Sequence, residues 1–537
     1  MKPPALAFLF CCITFLTQAQ KPALRDSSLW VDGHPILLRA GELGNSSASS
    51  LSYMQPIWQK AVTMHLNTLL VPIYWELLEP SESHFDFTLV DSLIGNAREH
   101  DLHLVFLWFG TWKNSMSCYV PAWVKTNEDR FPRSRNSAGR PEEIITPFSK
   151  NAETADETAF VALMRHLKSV DDTRHTVLMI QVENEIGMLP EARDHCKEAD
   201  EAFKSAVPKK LMDYLAAHRQ TLAPELKERW NAQGGKTKGS WETVFGKGPA
   251  TDEIFMAWYF AVYANEIAKA GKAIYDLPMY VNAALNAPGK KPGEYPSAGP
   301  LPHVIDVWKA AASDIDLLAP DFYNPNFTYW ADRYTRRDNH LFIPEHRFEA
   351  GADAKAFYAF GHYHAIGFSP FSIESTDKPA EEPIGKCYDL IAQLSGEIAA
   401  AKEKGLLDGI LLSKEKDTMR LTMGDYKITA AHELKLGWSP RAKEDQWPLT
   451  GGIIIGVSKD EFYVAGTGVV LTFEPAASEL AAPNARAGIL TVEEGLFIDG
   501  KWRPGRRMNG DQDHQGRHLR IPVGEYSIQR IKLYTYK

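Results

Sequence analysis

Eight short apolar runs, each bounded by turn residues and separated from the next by a longer helical stretch, constrain the fold of this 537-residue chain more than any other feature. They are Ile36 to Ala40, Asn67 to Ile73, His103 to Phe109, Val177 to Val182, Pro278 to Asn282, Ile315 to Pro320, Leu341 to Pro344 and Ile366 to Phe371. Alternation of strand and helix is the signature of repeated βα units. Parallel strands covered on both faces read as continuous apolar runs, and eight of them over this span predict an α/β fold, a (β/α)8 TIM barrel. The barrel is expected over 20–404, its last helix over Tyr388 to Lys404. A long insertion, about 189–277, separates the fourth and fifth strands and carries helical stretches such as Lys209 to Arg219 and Glu253 to Ala273. After Gly405 the texture turns to alternating strands with Gly and Asn turns, which predicts an all-β, sandwich-like domain over 405–537.

Residues 1–19 read as a signal peptide: Lys2, an apolar run from Ala5 to Leu16, then Thr17-Gln18-Ala19 as a small-residue cleavage site before Gln20. The run is too short to stay in a bilayer, so the expectation is an exported protein, periplasmic or extracellular, without stable membrane insertion. Cys11 and Cys12 lack the small-residue box that lipoprotein processing needs. Removing them leaves Cys118, Cys196 and Cys387, which match no disulfide framework or zinc pattern. A net charge of −9 with acids and bases interspersed gives no footprint for nucleic acid. The 14 Trp, 20 Tyr and 25 Phe supply aromatic faces of the kind that stack on sugar rings, although most such side chains in any protein fill the core.

Reacting groups of a TIM barrel sit at the C-terminal ends of its strands, so polar residues directly after an apolar run are the ones to inspect. The fourth run leads into QVENEIG, with Glu183, Asn184 and Glu185, and the seventh into FIPEHR, with Glu345. Breaking a glycosidic bond takes one carboxylic acid to protonate the leaving oxygen and a second carboxylate to meet the oxocarbenium-like centre. Strands four and seven lie across the mouth, so one Glu from each can face a sugar held between them. A single Glu at a strand end is more often a surface or salt-bridge residue; two of them, at these two strands, carry the inference. Strand alternation does not choose between Glu183 and Glu185, because residues two apart point the same way.

The segments NTLLVPIYWELLEPSESHFDF, LVFLWFG, PAWV, QVENEIG and FIPEHR resemble glycoside hydrolase family 35, the β-galactosidase family of clan A. The stretch VEEGLFIDGKWRPGRRMNGDQDHQGRHLRIP resembles the β domain appended to one bacterial branch of that family. The resemblance implies Glu185, preceded by Asn184, as acid/base, Glu345 as nucleophile, and Tyr323 as the tyrosine that hydrogen-bonds the nucleophile. Trp75, Trp112 and Asn114 are expected to line the mouth, the rings as stacking platforms and Asn114 and Asn184 as partners of sugar hydroxyls. Rim packing for the tryptophans and turn formation for the asparagines are the competing readings. Where many members carry a Tyr beyond the second strand's apolar run and a Glu-containing segment after the third, this chain has Val71-Pro72-Ile73 and Trp112-Lys113-Asn114, which leaves the sugar preference open.

No metal or other cofactor is expected. His362 and His364 lack a third ligand and read as a structural pair, and neither HExxH, GxGxxG nor a P-loop occurs in a fitting context. The function implied is a retaining, exo-acting β-galactosidase acting on plant-derived oligo- and polysaccharides, with xyloglucan side chains as a natural target. Two alternatives stay open: a clan A exo-glycosidase for β-glucosides or arabinosides, and a non-catalytic carbohydrate-binding barrel.

Overall fold

The computed structural model describes residues 20–476 and 484–537, so the expected signal peptide lies outside the described residues. Eight parallel strands close into a barrel: β1 (Leu38–Glu42), β2 (Thr68–Tyr74), β3 (His103–Lys113), β4 (Val177–Asn184), β5 (Met279–Ala284), β6 (Leu317–Phe322), β7 (Ile343–His346) and β8 (Gly367–Pro370). Each pairs with the next, and β8 with β1. The expected (β/α)8 fold and the C-terminal β domain are both present. All of β2 and β4 is buried, which is why β2 and the first residues of β4 read as apolar runs.

Helices follow in turn: α1 (Leu51–Thr63), α2 (Thr88–Glu99), α3 (Lys150–Asp171), α4 (Pro249–Ile274), α5 (Ile305–Ala311), α6 (Phe327–Tyr334), α7 (Ala352–Gly361) and α8 (Pro383–Gln393). In α1, Ser50 caps the first turn by accepting from the Tyr53 N–H, and Met54, Ile57, Trp58 and Ala61 form the buried stripe at helical spacing. The stretch expected as one last helix is two, α8 and Ser395–Lys404, the second ending on Gly405 in the left-handed region. Of the segment between β4 and β5, the last part is α4, which packs along α3 as the fourth helix of the barrel. Shorter helices at Lys197–Lys204, Lys209–Ala217, Pro224–Ala232 and Trp241–Phe245 make up the rest.

A three-stranded sheet (Ala23–Arg25, Ser28–Val31, His34–Ile36) covers the barrel's N-terminal end, held by His175 to Asp32 just before β4 and by Lys21 to Asp276 just before β5. His362 and His364 lie in the α7–β8 connection, also at that end; His362 binds Asp408 and stacks on Tyr358. No helix of the described residues is long and apolar enough to cross a membrane.

The C-terminal domain is a sandwich of a six-stranded and a four-stranded antiparallel sheet. Alternation along the strand Thr450–Gly456 shows how it is mounted: Ile454 joins the core between the two sheets, whereas Ile453 and Ile455 join the core of the barrel. The barrel supplies α7 for this contact, and two glycines let backbone meet backbone. A Cβ on Gly361 would stand 2.7 Å from the Asp408 carbonyl oxygen and from the Gly409 Cα. Gly361→Ala is therefore expected to cost about 1–3 kcal/mol by overpacking, read as a lowered thermal midpoint; an unchanged midpoint would show that the domains separate freely.

Candidate active site

The sequence brings chemistry to the mouth through the last residue or two of each strand. Glu42 ends β1, Asn184 ends β4 with Glu185 directly after, Asn282 lies in β5, Asp321 in β6 and Glu345 in β7, and all six are buried. The nearest oxygens of Glu185, Asp321 and Glu345 lie within 4.8 Å of one another. Lys113, itself buried, stands 3.9 Å from Glu185.

A bulge in β3 puts that lysine there. Between the pairs Trp108 with Val182 and Lys113 with Asn184, β3 spends five residues against two on β4. The extra residues carry Lys113 and Asn114 to the rim, where Asn114 donates through Nδ2 to Glu185 and accepts from Lys113 Nζ. The bulge also frees the Trp112 N–H, which donates to Glu183 at 2.7 Å. Gly110 makes the crowding possible, since a Cβ there would fall 2.7 Å from Glu183 Oε1 and 2.3 Å from Trp108 Nε1.

The same irregularity separates Glu183 from Glu185. Both have left-handed backbones, φ 61° and 45°, so the pleat that would point them alike is broken. Glu183 turns behind β3 to Asp156 of α3, where burial and the Asp156 charge push its carboxyl well above the usual range. Asp156 also accepts from Trp108 Nε1 and the Thr111 hydroxyl. Glu185 stays at the mouth, its N–H donating to Asn282 Oδ1 at 2.9 Å while Asn282 Nδ2 donates to Asp321 at 2.7 Å.

Each of the two facing glutamates rests on another carboxyl. Asp321 has a carboxyl oxygen within 4.8 Å of one on Glu185, and burial with the charges of Glu345 and Glu185 pushes it far up. Glu42 is hydrogen-bonded to Glu345, and burial with the Glu345 charge does the same to it. Burial and the neighbouring charges thus favour the protonated form of both. Burial and the Glu185 charge push Glu345 up to about 7, against the pull of Lys113 and of hydrogen bonds from the Tyr323 hydroxyl and Glu42. Lys113 places a positive charge beside this cluster of carboxyls and lowers Glu345.

The expected binding residues divide. Tyr323 donates to Glu345 and is 37 % exposed, and Asn114 is exposed at the rim. Asn184 is fully buried, and neither of its amide atoms has a partner in the protein. Trp75 and Trp112 are not brought to the mouth: both are wholly buried. Trp75 donates to Glu79 and packs on Trp108 and Trp123, while Trp112 donates to the Ile145 carbonyl and packs on Tyr263 and Phe260. Their rings and indole N–H groups are taken up by core partners, whereas the equally buried Asn184 keeps an unpartnered amide, so the platform role expected of the two tryptophans is withdrawn. Glu42, Lys113, Asn282 and Asp321 were not singled out in the sequence, although three of them satisfy the rule that found Glu185: a polar residue at the end of an apolar run.

Comparison with known proteins adds two segments. Residues 52–251 match the family described as Beta-galactosidase, glycoside hydrolase family 42, and residues 384–520 match a Domain of unknown function (DUF5597). The first match spans β2 to β4 and includes Glu185; Glu345 falls outside it. The family is not the one the sequence motifs resemble, family 35. No curated protein sequence matches this chain. Among solved structures it is similar to β-galactosidases from Bacillus circulans sp. alkalophilus (14 % identity, 68 % of this chain, 57 % of that one, TM-score 0.46), Rahnella sp. R3 (14 %, 67 %, 56 %, 0.45) and the psychrophilic Marinomonas ef1 (11 %, 69 %, 60 %, 0.45). The chain spans between 56 and 60 % of the length of these enzymes.

Proposed function

We propose that the protein is a retaining, exo-acting β-galactosidase that removes terminal β-galactosyl residues from plant-derived oligo- and polysaccharides, xyloglucan side chains among them, outside the cytoplasm. One observation carries the reading: Glu185 and Glu345, from strands across the barrel, present carboxyl oxygens no more than 4.8 Å apart. That gap suits attack by a carboxylate on the anomeric carbon; an inverting pair stands wider, about 6.5–9.5 Å, to admit a water. The match of 52–251 to a β-galactosidase family supports the sugar, as does the motif resemblance to family 35.

In this mechanism Glu345, held by the Tyr323 and Glu42 donors, attacks the anomeric carbon while Glu185 gives its proton to the leaving oxygen. The C–O bond to the leaving group breaks as the galactosyl ester forms. Glu185 then takes a proton from water, whose oxygen displaces Glu345 and restores the β anomer. Asn184, with its unpartnered amide, is the residue for the 2-hydroxyl, a contact that strengthens in the transition state. Proton NMR of the first sugar released from a β-galactoside tests the reading: β-galactose is expected, and an α anomer would overturn it. A panel of nitrophenyl glycosides tests the sugar, and faster hydrolysis of a β-glucoside or arabinoside would reassign it.

The pair must carry one proton to work, and Glu345 sits at about 7. As pH rises through that value the proton is lost and no acid remains. The expected profile of kcat/KM therefore falls about tenfold per unit on the alkaline side. Lys113 favours the ionised forms, so in Lys113→Met the pair keeps its proton to higher pH and the alkaline limb moves up. A limb that stays put or moves down would remove Lys113 from the site's electrostatics.

A further inference from the structure

Among the described residues Trp438 stands alone as an exposed tryptophan, 48 % exposed on the C-terminal domain, far in sequence from the barrel strands. A free indole face in water is unfavourable, and here its orientation is fixed by its neighbours. The Arg520 guanidinium lies 5.2 Å from the ring and is itself pinned by two hydrogen bonds to Glu433, at 2.9 and 2.5 Å. The His518 ring lies 5.7 Å away and tilted, and the His514 ring 5.2 Å away and edge-on. A ring held this way loses little freedom when something stacks on it.

The fringe is polar and strained. His514 and Gln515 both have left-handed backbones, φ 51° and 53°, between Gly510 and Gly516 in the same region, φ 64° and 79°. Non-glycine residues hold such angles only where the surroundings impose them, a pattern common at binding sites. The loop exposes Asn509, Gln512 and Gln515, whose amides both donate to and accept from hydroxyls, and Asp511, whose carboxylate accepts. Asp513 Oδ1 and His518 Nε2, on residues at least nine-tenths buried, have no partner in the protein. Burial and the charge of His514 hold His518 down to about 4, so its imidazole is neutral. The segment that carries Trp438 runs on to Leu449, which packs on Gly351 in the loop leaving β7, the strand of Glu345.

From this we infer that Trp438, with the loop Asn509–Arg517, is a second carbohydrate site, which takes a pyranose ring of a neutral polysaccharide on the indole face and its hydroxyls on the loop. One exposed ring with a polar rim suits a sugar; a stable contact with a second copy of the chain needs roughly 1,000 Å² or more. The site would hold the polymer whose ends the barrel trims, so its ligand class rests on the proposed function, whereas its existence does not.

Electrophoresis in native gels cast with xyloglucan or galactan separates the two questions, because retardation needs no turnover. Glu345→Gln is expected to be retarded as the unaltered protein is, while Trp438→Ala runs as in a gel without polysaccharide and Trp438→Tyr keeps part of the retardation. With the polymer as substrate, KM of Trp438→Ala is expected to rise about tenfold, with the KM for a nitrophenyl β-galactoside unchanged. Equal retardation of Trp438→Ala and the unaltered protein would overturn the inference. So would no retardation of either in both polysaccharides, or light scattering showing that Trp438→Ala turns a dimer into a monomer. Retardation lost in Trp438→Ala from a protein that hydrolyses no β-galactoside would keep this site and remove the proposed activity.

Discussion

Glu345→Gln is expected to lower kcat on a β-galactoside by at least about 10⁴-fold, because the amide keeps the shape and the Tyr323 hydrogen bond but cannot form the ester. Stability should move the other way. Glu345 is a buried carboxyl whose charge pushes Glu42 and Asp321 up, and a neutral side chain relieves both. The thermal midpoint of the variant is therefore expected to rise, the opposite of what a damaged fold would give. Glu345→Gly makes room for a small anion, and its product assigns the role. Azide entering where the carboxylate stood approaches from the α face and yields the α-galactosyl azide. Near-normal turnover in Glu345→Gln, or a β azide from Glu345→Gly, would remove Glu345 as the nucleophile.

The contrast between Glu345 and Trp75 shows what the sequence could carry. Barrel strands are covered on both faces, so their apolar runs stood out and gave the fold. The runs ended early for a physical reason: β1, β4, β6 and β7 continue through Glu42, Asn184, Asp321 and Glu345, polar residues that extend the backbone ladder while ending the apolar pattern. Those residues form the site, so the discrepancy in strand length was itself a signal, and reading it would have found Glu42 and Asp321. The choice between Glu183 and Glu185 was not legible, because it depends on a bulge in another strand and on two left-handed residues that no periodicity announces. Trp75 and Trp112 failed for a related reason. Position after a strand fixes neither the rotamer nor the depth of a side chain, and large rings are recruited to the core by area alone.

Glu185→Ala should show a loss that depends on the leaving group. With an alkyl or sugar aglycone the first step needs its proton, so kcat/KM is expected to fall by about 10²–10⁴-fold. With dinitrophenolate, a leaving group stable as an anion, that step proceeds unaided and kcat/KM stays within about tenfold. The ester on Glu345 then waits for a water that no base activates, so kcat and KM fall together and a burst of dinitrophenolate precedes the steady state. Azide needs no base, and its attack on the ester from the β face restores kcat and yields the β-galactosyl azide. The alkaline limb of the pH profile should vanish in this variant, since the proton whose loss caused it has no partner to serve. Opposite azide anomers from the variants at 185 and 345 would set the two carboxylates on opposite faces of one sugar. If Glu185→Ala loses activity equally on both classes of leaving group, the acid/base passes to Asp321, the carboxyl beside Glu185, and Asp321→Asn becomes the variant in which the same leaving-group dependence must appear.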